Sequence, residues 1–266
     1  MRAIKALGQN FLSNKHKVDQ IVAYIQSFSP EYVCEIGPGQ GALTLPLSAH
    51  VTEMVCVEKD ALLAESLRTT LSTNNISNVN IICDDILKTD ISAYFTHPYQ
   101  VIGSLPYNIS KRIVGMLLTS RDPRLTRIHV LIQKEVALKY TAQPPHSSYL
   151  SNFTQIYSTC SYAFSVSKTC FMPVPAVDGA VLTFIRKTPP PDHEDLVSFI
   201  KQIYSRPRKT VRNNLKAAGI DLKTGKPTDL DIDAVLSSRP STLTLSHIQQ
   251  LHIMYNRHAH NDRIKK

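Results

Sequence analysis

Apolar residues recur at Val18, Ile21, Val22 and Ile25, the i, i+3, i+4, i+7 spacing of one helical face, which predicts an amphipathic helix near the start of the chain. The period then changes. Tyr32-Val-Cys-Glu-Ile36 is a short, nearly continuous apolar run, as in a strand buried on both faces. Similar runs follow at Met54-Val-Cys-Val57, Val79-Asn-Ile-Ile-Cys83, Val101-Ile102, Ile128–Gln133 and Ala180–Ile185, with helical stretches between them. Strands alternating with helices predict a mostly parallel, doubly wound α/β sheet covered on both faces. The uncharged, hydroxyl-rich segment Tyr140–Ser167 reads as a loop followed by a strand near a substrate face.

Thr188-Pro-Pro-Pro-Asp-His193 punctuates this pattern, because three prolines cannot continue a helix or a ladder. The chain is therefore divided into residues 1–187, carrying the sheet, and residues 188–266, a smaller helical domain. In the second, Val197, Ile200, Ile203 and Tyr204 make an apolar stripe, followed by Arg206, Arg208, Lys209, Arg212 and Lys216 within eleven residues. Those cations suit phosphates, and equally a solvated helix face.

Composition adds charge to this picture. In 266 residues, 30 Lys and Arg outweigh 21 Asp and Glu, and the net charge of +9 suits a polyanionic partner such as RNA. Cys34, Cys56 and Cys83 fall inside predicted core strands, and no C-x-x-C pair occurs, so the five cysteines read as reduced thiols. The ten His residues lack ligand spacing, and no metal is expected. No run of eighteen apolar residues occurs, and a soluble, cytoplasmic protein is expected.

The candidate chemistry sits at strand ends. Gly37-Pro-Gly39-Gln-Gly41 follows the first strand and precedes a helical stretch from Ala42 to Ala49, and its glycines let a ligand approach the backbone. Glu58 ends the next strand, where a carboxylate can accept from both ribose hydroxyls of a nucleoside. The pattern Gly37-x-Gly39-x-x-Ala42 also fits a dinucleotide site, but Glu35, Asp84 and Asp85 at neighbouring strand ends would repel a pyrophosphate. They would welcome the sulfonium cation and adenine edge of S-adenosylmethionine. At least one of the three should be a solvated or capping acid.

Ser104-Leu105-Pro106-Tyr107 closes the run Val101-Ile102-Gly103. An adenine amine is a weak nucleophile because its lone pair is delocalised into the ring. A site that methylates it must accept its N–H bonds and hold the base flat. The Ser104 hydroxyl and Leu105 carbonyl can accept, Pro106 stiffens the turn, and Tyr107 offers a π-face. A strand-ending turn with a buried tyrosine is the plain structural alternative.

Several segments together resemble the KsgA-type ribosomal RNA adenine dimethyltransferases over nearly the whole chain. They are Leu7-Gly-Gln-Asn-Phe-Leu12, Glu35–Thr44, Val57-Glu-Lys-Asp60, Asp85-Ile-Leu87, Leu105–Ser110, Gln133–Val136 and Phe171-Met-Pro-Val-Pro-Ala-Val-Asp178. The resemblance implies a Rossmann-like S-adenosylmethionine-dependent methyltransferase acting on two adjacent adenines of a small-subunit rRNA 3′-terminal hairpin, as a monomer. It places Asn10 and Leu12 over the cofactor with Gly37, Gly39, Glu58 and Ser104, sets Asp85 on the cofactor adenine, and makes Phe171 the partner of Tyr107 around the target base. Lys111 and Arg112, just after Leu105–Ser110, could hold RNA at the mouth of the site or simply be solvated, and Arg206, Arg208, Lys209 and Arg212 would hold it on the helical domain. Two positions depart from the family pattern. Ser104 stands where Asn is usual, and Arg206-Pro-Arg-Lys209 replaces an Arg-Arg-Lys run. A macrolide-resistance-type enzyme acting on large-subunit RNA, or a weakly catalytic assembly or transcription-factor relative, would share most of these features.

Overall fold

The computed structural model describes residues 10–187, 193–220, 222 and 231–264, with side chains described as far as 256. The strands are β1 (Phe11–Leu12), β2 (Tyr32–Ile36), β3 (Glu53–Glu58), β4 (Val79–Cys83), β5 (Tyr99–Ser104), β6 (Leu125–Gln133), β7 (Ser158–Val166), β8 (Phe171–Met172) and β9 (Gly179–Arg186). The helices are α1 (Lys15–Gln26), α2 (Thr44–Ser48), α3 (Ala61–Thr73), α4 (Ser110–Thr119), α5 (Lys134–Thr141), α6 (Tyr149–Tyr157), α7 (Glu194–Ile203), α8 (Val211–Ala217), α9 (Ile232–Ser237) and α10 (Leu245–Ile264). Seven strands form one sheet in the order β4-β3-β2-β5-β6-β9-β7, and β1 pairs with β8 separately. β2 is parallel to β3 and β5, β3 to β4 and β5 to β6, whereas β9 runs antiparallel to both β6 and β7.

This order creates the place where a ligand can bind. The chain moves outward from β2 to β3 and β4, then returns to lay β5 on the other side of β2, so the connections leaving β2 and β5 diverge. In open α/β sheets the crevice beyond the strand ends at such a switch point is the usual ligand site. The two strands meet closely there. A Cβ at Gly103 would lie 2.6 Å from the Ile36 carbonyl oxygen, so only glycine lets β5 approach β2 at this height.

α1 forms as its periodicity predicts, burying Val18, Ile21, Val22 and Ile25, with Asn14 capping its first turn by accepting from Lys17 N–H at 2.9 Å. α2 is shorter than the expected 42–49. Gly37, Gly39 and Gly41 all have positive φ, at 67°, 55° and 82°, which keeps the chain out of the helical region until Leu43.

The chain divides into two compact units, Met1–Ala137 with Ser158–Pro190, and Leu138–Tyr157 with Pro191–Lys266. The second unit is thus helical but not contiguous, since it takes residues 138–157 from the sheet-bearing half. The expected boundary at 188 lies outside the described residues. The stretch read as a loop within Tyr140–Ser167 contains the helix α6, whose Ser151, Asn152 and Thr154 are buried beside Phe153, Ile156 and Tyr157. Asn152 donates to the Tyr204 hydroxyl at 2.7 Å, which itself donates to the Pro240 carbonyl. The apolar stripe of α7 is Leu196, Phe199, Ile200 and Ile203, one step round from the expected face, and Val197 is only half-buried. Cys34 and Cys56 are buried core thiols as expected. Cys83 is exposed, because β4 is the edge strand of the sheet.

Candidate active site

The crevice at the β2/β5 switch point is a cavity whose walls include Asn10, Leu12, Gly37, Gly39, Glu58, Asp85, Ser104, Leu105, Tyr107 and Phe171. Every residue expected to touch cofactor or base lines this one cavity. Lys111 and Arg112 do not line it. They are exposed on the first turn of α4, just past Asn108 and Ile109 in the cavity wall.

Glu58 is almost fully buried, with 6% of its surface exposed, and both oxygens are engaged. The Gly39 N–H donates to Oε2 at 3.0 Å and the Asp60 N–H to Oε1 at 2.9 Å. Burial pushes its pKa up, and the Asp60 and Gly39 N–H groups pull it back. A carboxylate has about four acceptor sites, so these two bonds leave capacity for a diol. Glu58 therefore fixes the shape of the glycine loop besides facing the cavity.

Asp85 is held from the other side. Lys59 Nζ lies 2.9 Å from its Oδ2 and the Leu87 N–H donates to Oδ1 at 3.0 Å, and the Lys59 hydrogen bond leads the causes that lower its pKa. Asp84 is the solvated acid among the three, exposed and accepting from Asp85 N–H and from the Thr89 hydroxyl, although it also lines the cavity. Glu35 is a cavity wall residue held inside the sheet. The Thr44 hydroxyl donates to its Oε2 at 2.6 Å, and burial raises its pKa to about 7.

At the end of β5 the backbone is sorted by use. The Pro106 carbonyl accepts from Ile109 and Ser110 N–H, and the Tyr107 carbonyl accepts from the Ser110 hydroxyl. The Leu105 N–H donates to the Leu131 carbonyl of β6 at 3.0 Å. Among the described residues no hydrogen bond engages the Leu105 carbonyl or the Ser104 hydroxyl. The Tyr107 hydroxyl is buried without a partner, and burial, then the charge of Asp178, raises its pKa. Among the described residues, two unengaged acceptors and an unsatisfied phenol thus stand in one turn.

Four contributors are not legible as site residues in the sequence. Phe11 packs on the glycine loop, and a Cβ at Gly39 would lie 3.1 Å from its ring. Thr44 holds Glu35, and Lys59 holds Asp85. Asp178 closes the loop that begins at Phe171, accepting Lys168 N–H on its carboxylate and Lys134 N–H on its carbonyl, both at 2.9 Å. All four lie within segments that carry the family resemblance, yet only tertiary contact reveals their work.

In the second unit Arg206, Arg208 and Lys209 are exposed between α7 and α8, and Thr210 caps α8 behind them. Arg212 is engaged, with its guanidinium 2.6 Å from Asp233 Oδ1, so its charge is partly neutralised. Among the described residues no group of three His, Cys, Asp or Glu could hold a metal ion, and no helix is long and apolar enough to cross a membrane.

Glycine backbone under a buried carboxylate at the β2/β5 crevice, facing a turn with unengaged acceptors, defines a Rossmann-like methyltransferase. The fold is shared with a dimethyladenosine transferase from Plasmodium falciparum (TM-score 0.76, 20% identity, 93% of this chain and 98% of that one). It is shared also with the 23S rRNA methyltransferase ErmE (TM-score 0.67, 23% identity, 93% and 100%). The family model described as ribosomal RNA adenine dimethylase matches residues 2–252, and the chain belongs to that family. A ribosomal RNA small subunit methyltransferase A of Desulforapulum autotrophicum is 37% identical over 231 residues, covering 84% of this chain and 81% of that protein. One of Lysinibacillus sphaericus is 35% identical over 263 residues, covering 93% and 89%.

Glu35 gives this site a pH signature. Its carboxyl rises from 4.5 to about 7 in the folded protein, so folding favours the protonated form. The stability it contributes is full below pH 4.5 and is lost as pH rises through 7. Glu35→Gln keeps an acceptor for Thr44 and removes the charge. The ligand-free variant should exceed the wild type in urea stability at pH 8 by up to roughly 3 kcal/mol, from ~1.4 kcal/mol per pKa unit. The gap should narrow to about 1 kcal/mol or less at pH 5. An equal gap at both pH values would show that the Glu35 charge is not what burial penalises.

Proposed function

We propose that the chain transfers methyl groups from S-adenosylmethionine to the N6 amines of two adjacent adenines in the 3′-terminal hairpin of small-subunit ribosomal RNA, acting as a cytoplasmic monomer without a resident metal. The observation that carries this reading is the pair of unengaged acceptors, Ser104 Oγ and the Leu105 carbonyl, beside the glycine loop. The names of the curated relatives support the small subunit. The rival large-subunit reading rests on the fold shared with ErmE alone.

The cavity suits the cofactor by its own chemistry. A Cβ at Gly37 would meet nothing within 4 Å, leaving open backbone, and Glu58 and Asp85 offer acceptors for a diol and an amino group. Bound there, S-adenosylmethionine supplies an electrophilic methyl on a sulfonium. Ser104 and Leu105 accept the two N–H bonds of the substrate amine and so turn its lone pair toward the cavity, and they strengthen as the nitrogen becomes tetrahedral. Tyr107 offers a ring face to the base, which must leave its helix to enter, and Phe171, 2% exposed, backs the cavity wall from the core side. Arg206, Arg208, Lys209, Lys111 and Arg112 take phosphates, and Arg212 contributes less because Asp233 competes for it.

Labelled methyl transfer to purified, unmethylated small and large subunits, with nucleoside analysis, tests the function. Dimethyladenosine in the small subunit is expected, and label confined to the large subunit would select the rival. Within this assay Ser104→Ala should slow single turnover by roughly tenfold. That is less than the ~10²–10³ of a sole stabilising group, because Leu105 remains. Ser104→Asn should preserve or raise the rate. Full activity in Ser104→Ala would remove the hydroxyl from the mechanism.

The RNA contacts predict a graded salt response. Each phosphate contact adds ~0.7–0.9 to the slope of log affinity against log salt. Replacing Arg206, Arg208 and Lys209 together by Ala should lower that slope by about two, and Arg212→Ala should change it least. An unchanged slope in the triple variant would leave those side chains as solvated surface.

A further inference from the structure

The loop from Phe171 to Asp178 exposes apolar surface where a soluble enzyme has reason to hide it. Of eight exposed large hydrophobic side chains among the described residues, three lie within six positions: Met172 (65% exposed), Val174 (56%) and Val177 (42%). Exposed apolar side chains scattered singly need no explanation, but a cluster marks an interaction site. None of the three lines the cofactor cavity, although Phe171 does.

The loop is built to hold them still. Phe171 is 2% exposed and pairs with Leu12, while Met172 pairs with Phe11, in the β1–β8 ladder. Successive strand residues face opposite ways, so burying Phe171 turns Met172 outward. Pro175 is buried in the middle, and Asp178 ties the far end to Lys168 and Lys134. Two prolines and three tethers leave little freedom to be lost when a partner binds.

The position of this ridge selects its occupant. Phe171 and Phe11, the pairing partner of Met172, both line the cavity, so the ridge adjoins its rim and is within reach of whatever flanks a base held there. Taking an adenine out of its stack uncovers the faces of its neighbours, and apolar side chains are what proteins insert at an unstacked step. The one acid in the loop, Asp178, has its carboxylate turned to the Lys168 N–H, and the side chain of Lys168 is exposed. The surroundings therefore do not repel phosphates.

We propose that Met172, Val174 and Val177 form a rigid apolar wedge that packs on the nucleobases flanking the target adenine. This rests on the function proposed above. The test compares Met172→Ser/Val174→Ser with wild type for cofactor affinity, thermal stability and kcat/KM on unmethylated small subunits. A benzophenone amino acid at position 172 then maps what the loop touches. Affinity and stability should match wild type, kcat/KM should fall about tenfold or more, as for loss of one stacked base, and Met172→Leu should retain most activity. Crosslinks should fall on nucleotides next to the modified adenines. Wild-type kcat/KM in the double variant, or crosslinks only to a ribosomal protein, would overturn the wedge while leaving the function intact. Absence of methyl transfer by the wild-type enzyme would overturn both.

Discussion

The Glu58 carboxylate holds together the parts of the site that come from different elements. It lies at the end of β3, accepts the Gly39 N–H on one oxygen and the Asp60 N–H on the other, and is shielded from water. Burying an ion without partners would cost several kcal/mol, and charge-assisted hydrogen bonds offset that at ~1.5–3 kcal/mol each. Asp60 also caps α3 through Leu62 N–H, so the same few atoms set the glycine loop and the start of the next helix. Gly39 then carries Phe11 against it, and Phe11 pairs with Met172 beside Phe171. A continuous series of contacts thus links the carboxylate proposed to hold the ribose with Phe171 in the wall of the same cavity.

The second constraint is the close passage of β5 against β2. Gly103 permits it, and the next residues are the acceptors Ser104 and Leu105. A larger residue at 103 would push the turn away from the glycine loop. The elements proposed to hold cofactor and substrate amine would then be out of register, and transfer catalysis depends on that register. With both in place, catalysis asks only for position and hydrogen bonds.

Much of this was readable along the chain where one local rule decides. The α1 face followed from the 3.6 period, and the switch-point strands from apolar runs ending in Gly or acid. Local rules failed where tertiary packing buries polar groups. α6 buries Ser151, Asn152 and Thr154, and Asn152 bonds to Tyr204 fifty-two positions away, so a segment rich in hydroxyls read as loop. Cys83 lay in a real strand, but nothing in the sequence says that β4 is an edge. The candidate site residues were nominated by motif, whereas Phe11, Thr44, Lys59 and Asp178 act on other side chains or loops, two of them from the same cavity wall, and leave no periodic trace. Helix α2 began late because the third glycine of the loop, like the first two, holds a positive φ.

The most direct test of this account is S-adenosylmethionine binding by Glu58→Gln, measured by calorimetry beside the thermal stability of the variant. Glutamine nearly preserves the shape but has one acceptor oxygen and a donor amide, so it cannot accept from both Gly39 and Asp60 while also taking a diol. The account predicts a folded protein whose cofactor affinity falls at least about tenfold, the equivalent of ~1.4 kcal/mol. Wild-type affinity in the folded variant would contradict it, because the glycine loop and the ribose site would then be standing without the carboxylate said to hold both.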